Sequence, residues 1–198
     1  EAPGRKTHHC AGLYNDAHVT QYRRINDFIR SLGATPAIQL GHCGRRASAH
    51  GPLQDRAPLT EADAKVGLIP WQGIAPSPIP ASPGGALPRE MDHDDIRKNI
   101  QLWREAAKRS LDAGYDICEI HGAHGYLIHQ FLSPVSNKRT DQYGGSLENR
   151  MRFARECAQA VRAVVPKGVP LGARITGSDW RDDGLTPDDA VTFAKALK

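Results

Sequence analysis

The sequence predicts part of a parallel (β/α)8 TIM barrel, roughly its middle three strands with their helices. Apolar runs at helical spacing alternate with short β-branched runs, in the order helix, strand, long loop, helix, strand, long loop, helix, strand, loop, helix. Such alternation implies parallel strands joined by crossover helices. Polar residues gather at each strand end: Gln39, His42 and Arg45; then His121, His124 and Tyr126; then Arg174, Ser178 and Asp179. A barrel collects its functional groups from several strand ends on one rim. An open doubly wound sheet fits the alternation too, but no G-x-G-x-x-G follows any strand, which weakens that alternative.

Each element has a local cause. Asp16 can cap a first helix whose Val19, Tyr22, Ile25, Ile29 and Leu32 share one face, with Gly33 as its stop. Pro36 to Leu40 reads as a buried strand. Residues 44–91 are rich in Pro and Gly with weak periodicity, and a loop of that length inside a domain is usually functional. Ile69-Pro70-Trp71 and Ile74-Ala75-Pro76-Ser77 are its expected anchors. Asp92 can cap a helix bearing Ile96, Ile100, Trp103, Ala107 and Leu111, ended by Gly114; residues 116–121 then form the second strand. Ser146 opens a helix through Leu147, Met151, Ala154, Ala158, Val161 and Val165, and Val169 to Thr176 is the third strand. Thr186-Pro187-Asp188-Asp189 is a strong helix start: a cap, Pro at the first position, and Asp three residues after the cap.

The chain has 198 residues, and a complete barrel takes about 250. It begins at Glu1 without Met and stops at Lys198 inside a helical pattern, so it reads as one incomplete domain over 1–198, an internal piece of a longer protein. Its 26 basic and 22 acidic residues give +4, interspersed without a basic block, so nucleic-acid binding is not indicated. No apolar run is long enough to span a membrane. Cys10, Cys43, Cys118 and Cys157 form no C-x-x-C pair, and the expected setting is reduced and cytoplasmic.

The chemistry concentrates in His121-Gly122-Ala123-His124-Gly125-Tyr126. Two imidazoles and a phenol leave one strand end within six residues, a cluster costly to bury without partners. A metal site is one reading of the histidine pair, but Gly122 and Gly125 oppose a helical ligand face and no carboxylate or thiol ligand lies close in sequence, so no metal is assigned. Satisfied structural histidines are the other bland reading. His8, His9 and Cys10 lack a fourth ligand and read as surface residues.

From Gly4-Arg5 onward the chain resembles the old yellow enzyme family of FMN-dependent oxidoreductases. The resemblance rests on Gln39-Leu40-Gly41-His42, on the two-histidine motif continuing through Phe131-Leu132-Ser133-Pro134 to Gly145, and on Asn149-Arg150. It looks most like the bacterial branch that carries two histidines where other branches carry His and Asn. The resemblance implies FMN as cofactor, NAD(P)H as reductant and a small-molecule substrate with an activated C=C bond, such as an enone. It implies that His121 and His124 hold the activating substrate oxygen, that Tyr126 protonates the α-carbon, and that Gln39 and Arg174 contact the flavin. Cys43 and Arg46 stand where Ala and Lys are usual; Arg46 reads as a solvated loop charge, with a role near substrate or cofactor phosphate as the alternative. The tract 136–145 reads as structural. The family also contains reductases and dehydrogenases acting on acyl-CoA or amine substrates, and the long loop leaves room for that. A non-catalytic barrel fragment is the alternative from another class. A homo-oligomer is compatible with all of these.

Overall fold

The computed structural model describes residues 1–198. Three parallel strands form its central sheet. After α1 (Ala17–Ser31) comes β1 (Ala37–Leu40). The excursion that follows holds the one-turn α2 (Glu61–Ala64) and two two-residue strands, β2 (Ile74–Ala75) and β3 (Arg89–Glu90), paired in parallel. Then come α3 (His93–Asp112), β4 (Ile117–Gly122), the short α4 (Leu127–Leu132), α5 (Leu147–Arg162), β5 (Leu171–Ile175) and α6 (Pro187–Ala196). The sheet order is β1-β4-β5, with β4 central. Gln39 pairs with Glu119, and His121 with Arg174.

Alternation along the strands gives the sheet two different faces. Leu40, Cys118 and Ile120 join a core with Ile96, Trp103 and Ala107 of α3 and Met151, Phe153, Ala154, Cys157 and Val161 of α5. The residues between them in sequence (Gln39, Glu119, His121 and Arg174) lie on the opposite face. The first strand is therefore less buried than expected, and the third is largely exposed too. In the first, Ala37 and Gln39 are exposed; in the third, Gly172, Ala173 and Arg174 are exposed. The cause is position: β1 and β5 are the edges of this sheet, and the polar face has no second layer over it.

The helix starts at Asp92, Ser146 and Thr186 form as expected, each cap accepting from the backbone N–H three residues on. Asp16 does not cap α1; its carboxylate pairs with Arg109 Nε of α3 at 2.7 Å. The helix is instead tied down by polar contacts to the end of α3, including buried Asn26 donating to the Ala113 carbonyl at 2.8 Å. Ile25, Phe28 and Leu32 stay exposed.

Within the excursion, Ile74, Ala75 and Ser77 are buried, whereas Ile69 is 65% exposed. Ile69 contributes its carbonyl, which meets His8 Nε2 at 2.9 Å. His8 also sits edge-on to Trp71, with ring centroids 5.1 Å apart. It is a half-buried strut for the excursion rather than a free surface residue. The tract 136–145 is structural, as read. Asn137 Nδ2 donates to the Phe131 and Tyr143 carbonyls at 2.7 and 2.8 Å. Arg139 donates to the Pro76 and Met91 carbonyls at 3.1 and 2.6 Å and pairs with Asp141. That ion pair holds the Asp141 carboxyl below the usual carboxylate range. No helix is long and apolar enough to cross a membrane.

Phe153 is fully buried and stacked on Phe131 with centroids 4.3 Å apart. Phe153→Ala should destabilise the fold by about 3–5 kcal/mol. Urea denaturation checks this as a lower midpoint at unchanged slope.

Candidate active site

The site forms where the sheet's polar face meets its C-terminal rim. His121, the penultimate residue of β4, is 7% exposed. Its ring centroid lies 4.9 Å from that of His124 and 5.0 Å from that of Tyr126, both edge-on. The three rings of the motif thus converge. The turn that brings them together is unusual, since His124 and Gly125 both adopt left-handed backbone, with φ of +59° and +69°. For a non-glycine residue this costs about 1–2 kcal/mol. The His124 N–H donates to Thr176 Oγ1 just beyond β5, at 3.2 Å, and its carbonyl accepts from Arg46 Nη1 at 2.7 Å.

Two buried side chains of α4, neither singled out from the sequence, fix this turn to the other strand ends. Gln130 is fully buried. Its amide nitrogen Nε2 donates to the Gly125 carbonyl at 2.7 Å and the Cys43 carbonyl at 3.1 Å, while its Oε1 accepts from the Arg45 N–H at 3.1 Å. Gly44, with φ +57°, must be glycine here, because a Cβ would meet Gln130 Oε1 at 2.2 Å. His129 Nδ1 accepts from the Gly125 N–H at 2.9 Å, leaving the ring proton on Nε2, which lies 2.9 Å from Asp179 Oδ1. Asp179 also accepts from Ser133 Oγ at 2.6 Å and the Leu185 N–H at 2.8 Å. These bonds hold its carboxyl down at about 2 despite burial. Ser133, Asp179 and His129 are not a hydrolytic triad: His129 Nδ1 is occupied by backbone and Ser133 gives its proton to Asp179.

Several of the strand-end residues predicted from sequence do not reach the rings. His42 is buried against Gly4, accepts from the Gly44 N–H at 3.0 Å and faces Glu1. Arg45 points to the Ile79 and Pro80 carbonyls of the excursion. Gln39 and Arg174 do lie on the polar face, but both are exposed, not buried. Gln39 Nε2 donates to the Glu119 carboxylate, which leaves its carbonyl oxygen free. Glu119 is itself a polar-face residue that the sequence reading passed over.

Burial shifts two of the three rings in opposite directions. Burial pushes the His121 imidazole down to about 4, helped by the neighbouring His124 and Arg174. His121 is therefore neutral near pH 7, and its Nδ1 is buried with no hydrogen-bond partner. Burial raises the Tyr126 phenol above its ordinary range, with the Cys43 thiol adding to the effect and Arg46 opposing it. Cys43 is pushed up to about 12, again chiefly by burial. At neutral pH the site thus presents a neutral imidazole, a protonated phenol and a protonated thiol.

The sequence pattern of the NADH:flavin oxidoreductase / NADH oxidase family matches residues 1–198. The chain belongs to that family. It is 42% identical over 197 residues to an NADPH dehydrogenase of Geobacillus sp. (strain WCH70), covering 100% of this chain and 52% of the relative. Against an NADPH dehydrogenase of Bacillus subtilis (strain 168) the identity is 38% over 195 residues, 98% of this chain and 51% of the relative. Among solved structures, morphinone reductase in complex with tetrahydroNAD superposes with a TM-score of 0.79 at 30% identity, over 100% of this chain and 54% of that one. A 2-naphthoyl-CoA reductase complex superposes with a TM-score of 0.84 at 28% identity, over 98% of this chain and 29% of that one. The chain thus spans about half the length of the curated relatives it matches. Its three strands and their helices are part of a TIM barrel, the fold predicted from the sequence.

The donor set of the polar face suits the cofactor of this FMN family. A flavin offers a flat ring with carbonyl oxygens and an imide, and becomes anionic when reduced. Arg174, exposed and without a carboxylate partner, pairs in register with His121, whose Nδ1 has no hydrogen-bond partner, and Gln39 keeps a free carbonyl oxygen on the same face.

Two titrations follow. His121 should stay neutral down to about pH 4, read as the midpoint of its ring signals by NMR; a midpoint near the ordinary 6.5 would contradict the burial described. The depressed Asp179 carboxyl stabilises the fold above its unfolded value of about 3.9, and this contribution is lost as pH falls towards about 2. Asp179→Asn should therefore flatten the acid limb of the stability curve between those values.

Proposed function

We propose that this chain carries the substrate rim of an FMN-dependent NAD(P)H oxidoreductase that reduces activated C=C bonds, of the family's two-histidine branch, within one barrel domain. The observation that carries the proposal is the convergence of His121, His124 and Tyr126 around an imidazole that is buried, neutral and missing one hydrogen-bond partner. Gln39 and Arg174 would hold the flavin. When bound, it supplies the hydride carrier, reduced by NAD(P)H and oxidised by an electron-poor alkene.

The chain's own residues do the rest. As hydride reaches the β-carbon of an enone, negative charge grows on the carbonyl oxygen. N–H donors on His121 and His124 stabilise that charge where it develops. A neutral imidazole suits this task because it donates without surrendering its proton. Tyr126 Oη delivers a proton to the α-carbon, and its raised pKa keeps it protonated until that moment. The His121 and Tyr126 rings, together with the turn held by Gln130, fix the donor positions, which a reaction of this kind needs to within about an ångström.

The substrate is a small molecule. A cytoplasmic setting and a homo-oligomer belong to the same reading; the four cysteines are all free thiols, as a reducing compartment would keep them. An acyl-CoA substrate is the second reading, favoured by the likeness to 2-naphthoyl-CoA reductase. A panel of free enones and acyl-CoA thioesters offered to the intact protein separates the two.

In the intact protein, Tyr126→Phe should slow alkene reduction about 100-fold or more while leaving flavin reduction by NAD(P)H near wild type. The His121→Ala/His124→Ala double variant should lose alkene reduction at least as severely. Stopped-flow absorbance resolves the two half-reactions, and unchanged alkene rates in both variants would sink the assignment.

A further inference from the structure

Arg46 closes the 3-10 turn Gly44–Arg46, the first after β1. An exposed arginine normally releases its head group to water. Here the guanidinium turns in towards the rim. Its Nη1 donates to the His124 carbonyl at 2.7 Å, and its Cζ lies 5.8 Å from the Tyr126 ring centroid. The side chain also runs along Gly125, where an added Cβ would come within 3.3 Å of Nη1. No carboxylate pairs with it, so its charge is not spent elsewhere. The expectation of a solvated loop charge is replaced by an arginine that reaches both His124 and Tyr126.

We propose that Arg46 is a positioning residue for the proton donor: one guanidinium clamps the left-handed turn through the His124 carbonyl and lies over the Tyr126 ring. This rests on the reading of Tyr126 as proton donor. The clamp holds His124 from the β1 side, opposite the Thr176 bond on the β5 side, so the second imidazole stays turned towards His121. The cation over the ring stabilises the phenolate left when the Tyr126 proton moves to the α-carbon, and water returns the proton. Other influences act on the same phenol: burial above all, then the Cys43 and Cys10 thiols, raise its pKa, Arg56 lowers it, and the His121 ring stands edge-on to it. Of the two cations, Arg46 is the one whose guanidinium lies over the ring. A planar fork can donate to a carbonyl and cover a ring together, which a lysine ammonium does less well.

The test uses the intact protein with tyrosine labelled at Cζ with carbon-13, the Tyr126 signal being assigned by its loss in Tyr126→Phe. Arg46→Gln keeps an amide donor for the His124 carbonyl and removes the charge; Arg46→Lys keeps the charge. The Tyr126 midpoint should rise by about half a pH unit in Arg46→Gln and stay near wild type in Arg46→Lys. Arg46→Ala, which loses both clamp and charge, should slow alkene reduction about tenfold or more with flavin reduction by NAD(P)H unchanged. An unmoved Tyr126 midpoint in folded Arg46→Gln overturns the proposal. If the midpoint moves but Tyr126→Phe reduces alkenes normally, the coupling of Arg46 to Tyr126 stands and the proton-donor reading fails.

Discussion

The rim depends on the buried amide of Gln130. Three strands end at three separate loops, and nothing in a parallel sheet itself aligns what those loops carry. Gln130 binds the loop after β1 through the Cys43 carbonyl and the Arg45 N–H, and the turn after β4 through the Gly125 carbonyl. The next residue back, His129, takes the Gly125 N–H and reaches Asp179 in the loop after β5. Both polar groups of one glycine are thus held by adjacent side chains that lead to opposite sides of the sheet. A buried amide left without partners costs roughly 1–3 kcal/mol per group, so the network is strongly committed to a single arrangement. That arrangement keeps His124 in its left-handed conformation and the three rings together.

The chemistry then follows from the sheet's parity. Every second residue of β4 points away from the helices, which puts Glu119 and His121 on the polar face beside Gln39 and Arg174. In a closed barrel this face is the interior. Burial lowers the His121 pKa and raises that of Tyr126, so that at neutral pH the imidazole is uncharged and the phenol protonated. The same burial leaves the Cys43 thiol protonated beside them, so it does not compete as a nucleophile at neutral pH.

Much of the fold was legible because it is written in local signals. The caps at Asp92, Ser146 and Thr186 and the apolar spacing of α3 and α5 need no tertiary information. The rings of His121, His124 and Tyr126 were legible for a similar reason, since six consecutive residues at a strand end cannot scatter far. Asp16 failed as a cap because Arg109, distant in sequence, competes for its carboxylate. Gln130 and His129 were missed because a Gln and a His inside a short apolar run carry no pattern, and their partners are backbone groups on loops that only the folded chain brings near. Arg46 was misjudged on the same ground, as its partner is the His124 carbonyl, 78 positions along. Gln39 and Arg174 were legible as polar residues of two strands, but their exposure was not, because it depends on which strands lie beside β1 and β5.

The most direct measurement is the visible absorbance spectrum of the intact protein, desalted after incubation with FMN, for the wild type and for Gln130→Met. The account predicts a retained flavin band shifted from that of free FMN in the wild type, and a weaker or free-like band in the variant whose strand ends are no longer joined. A colourless wild-type protein would contradict the flavin site, and an unaltered spectrum in the variant would contradict the role given to Gln130.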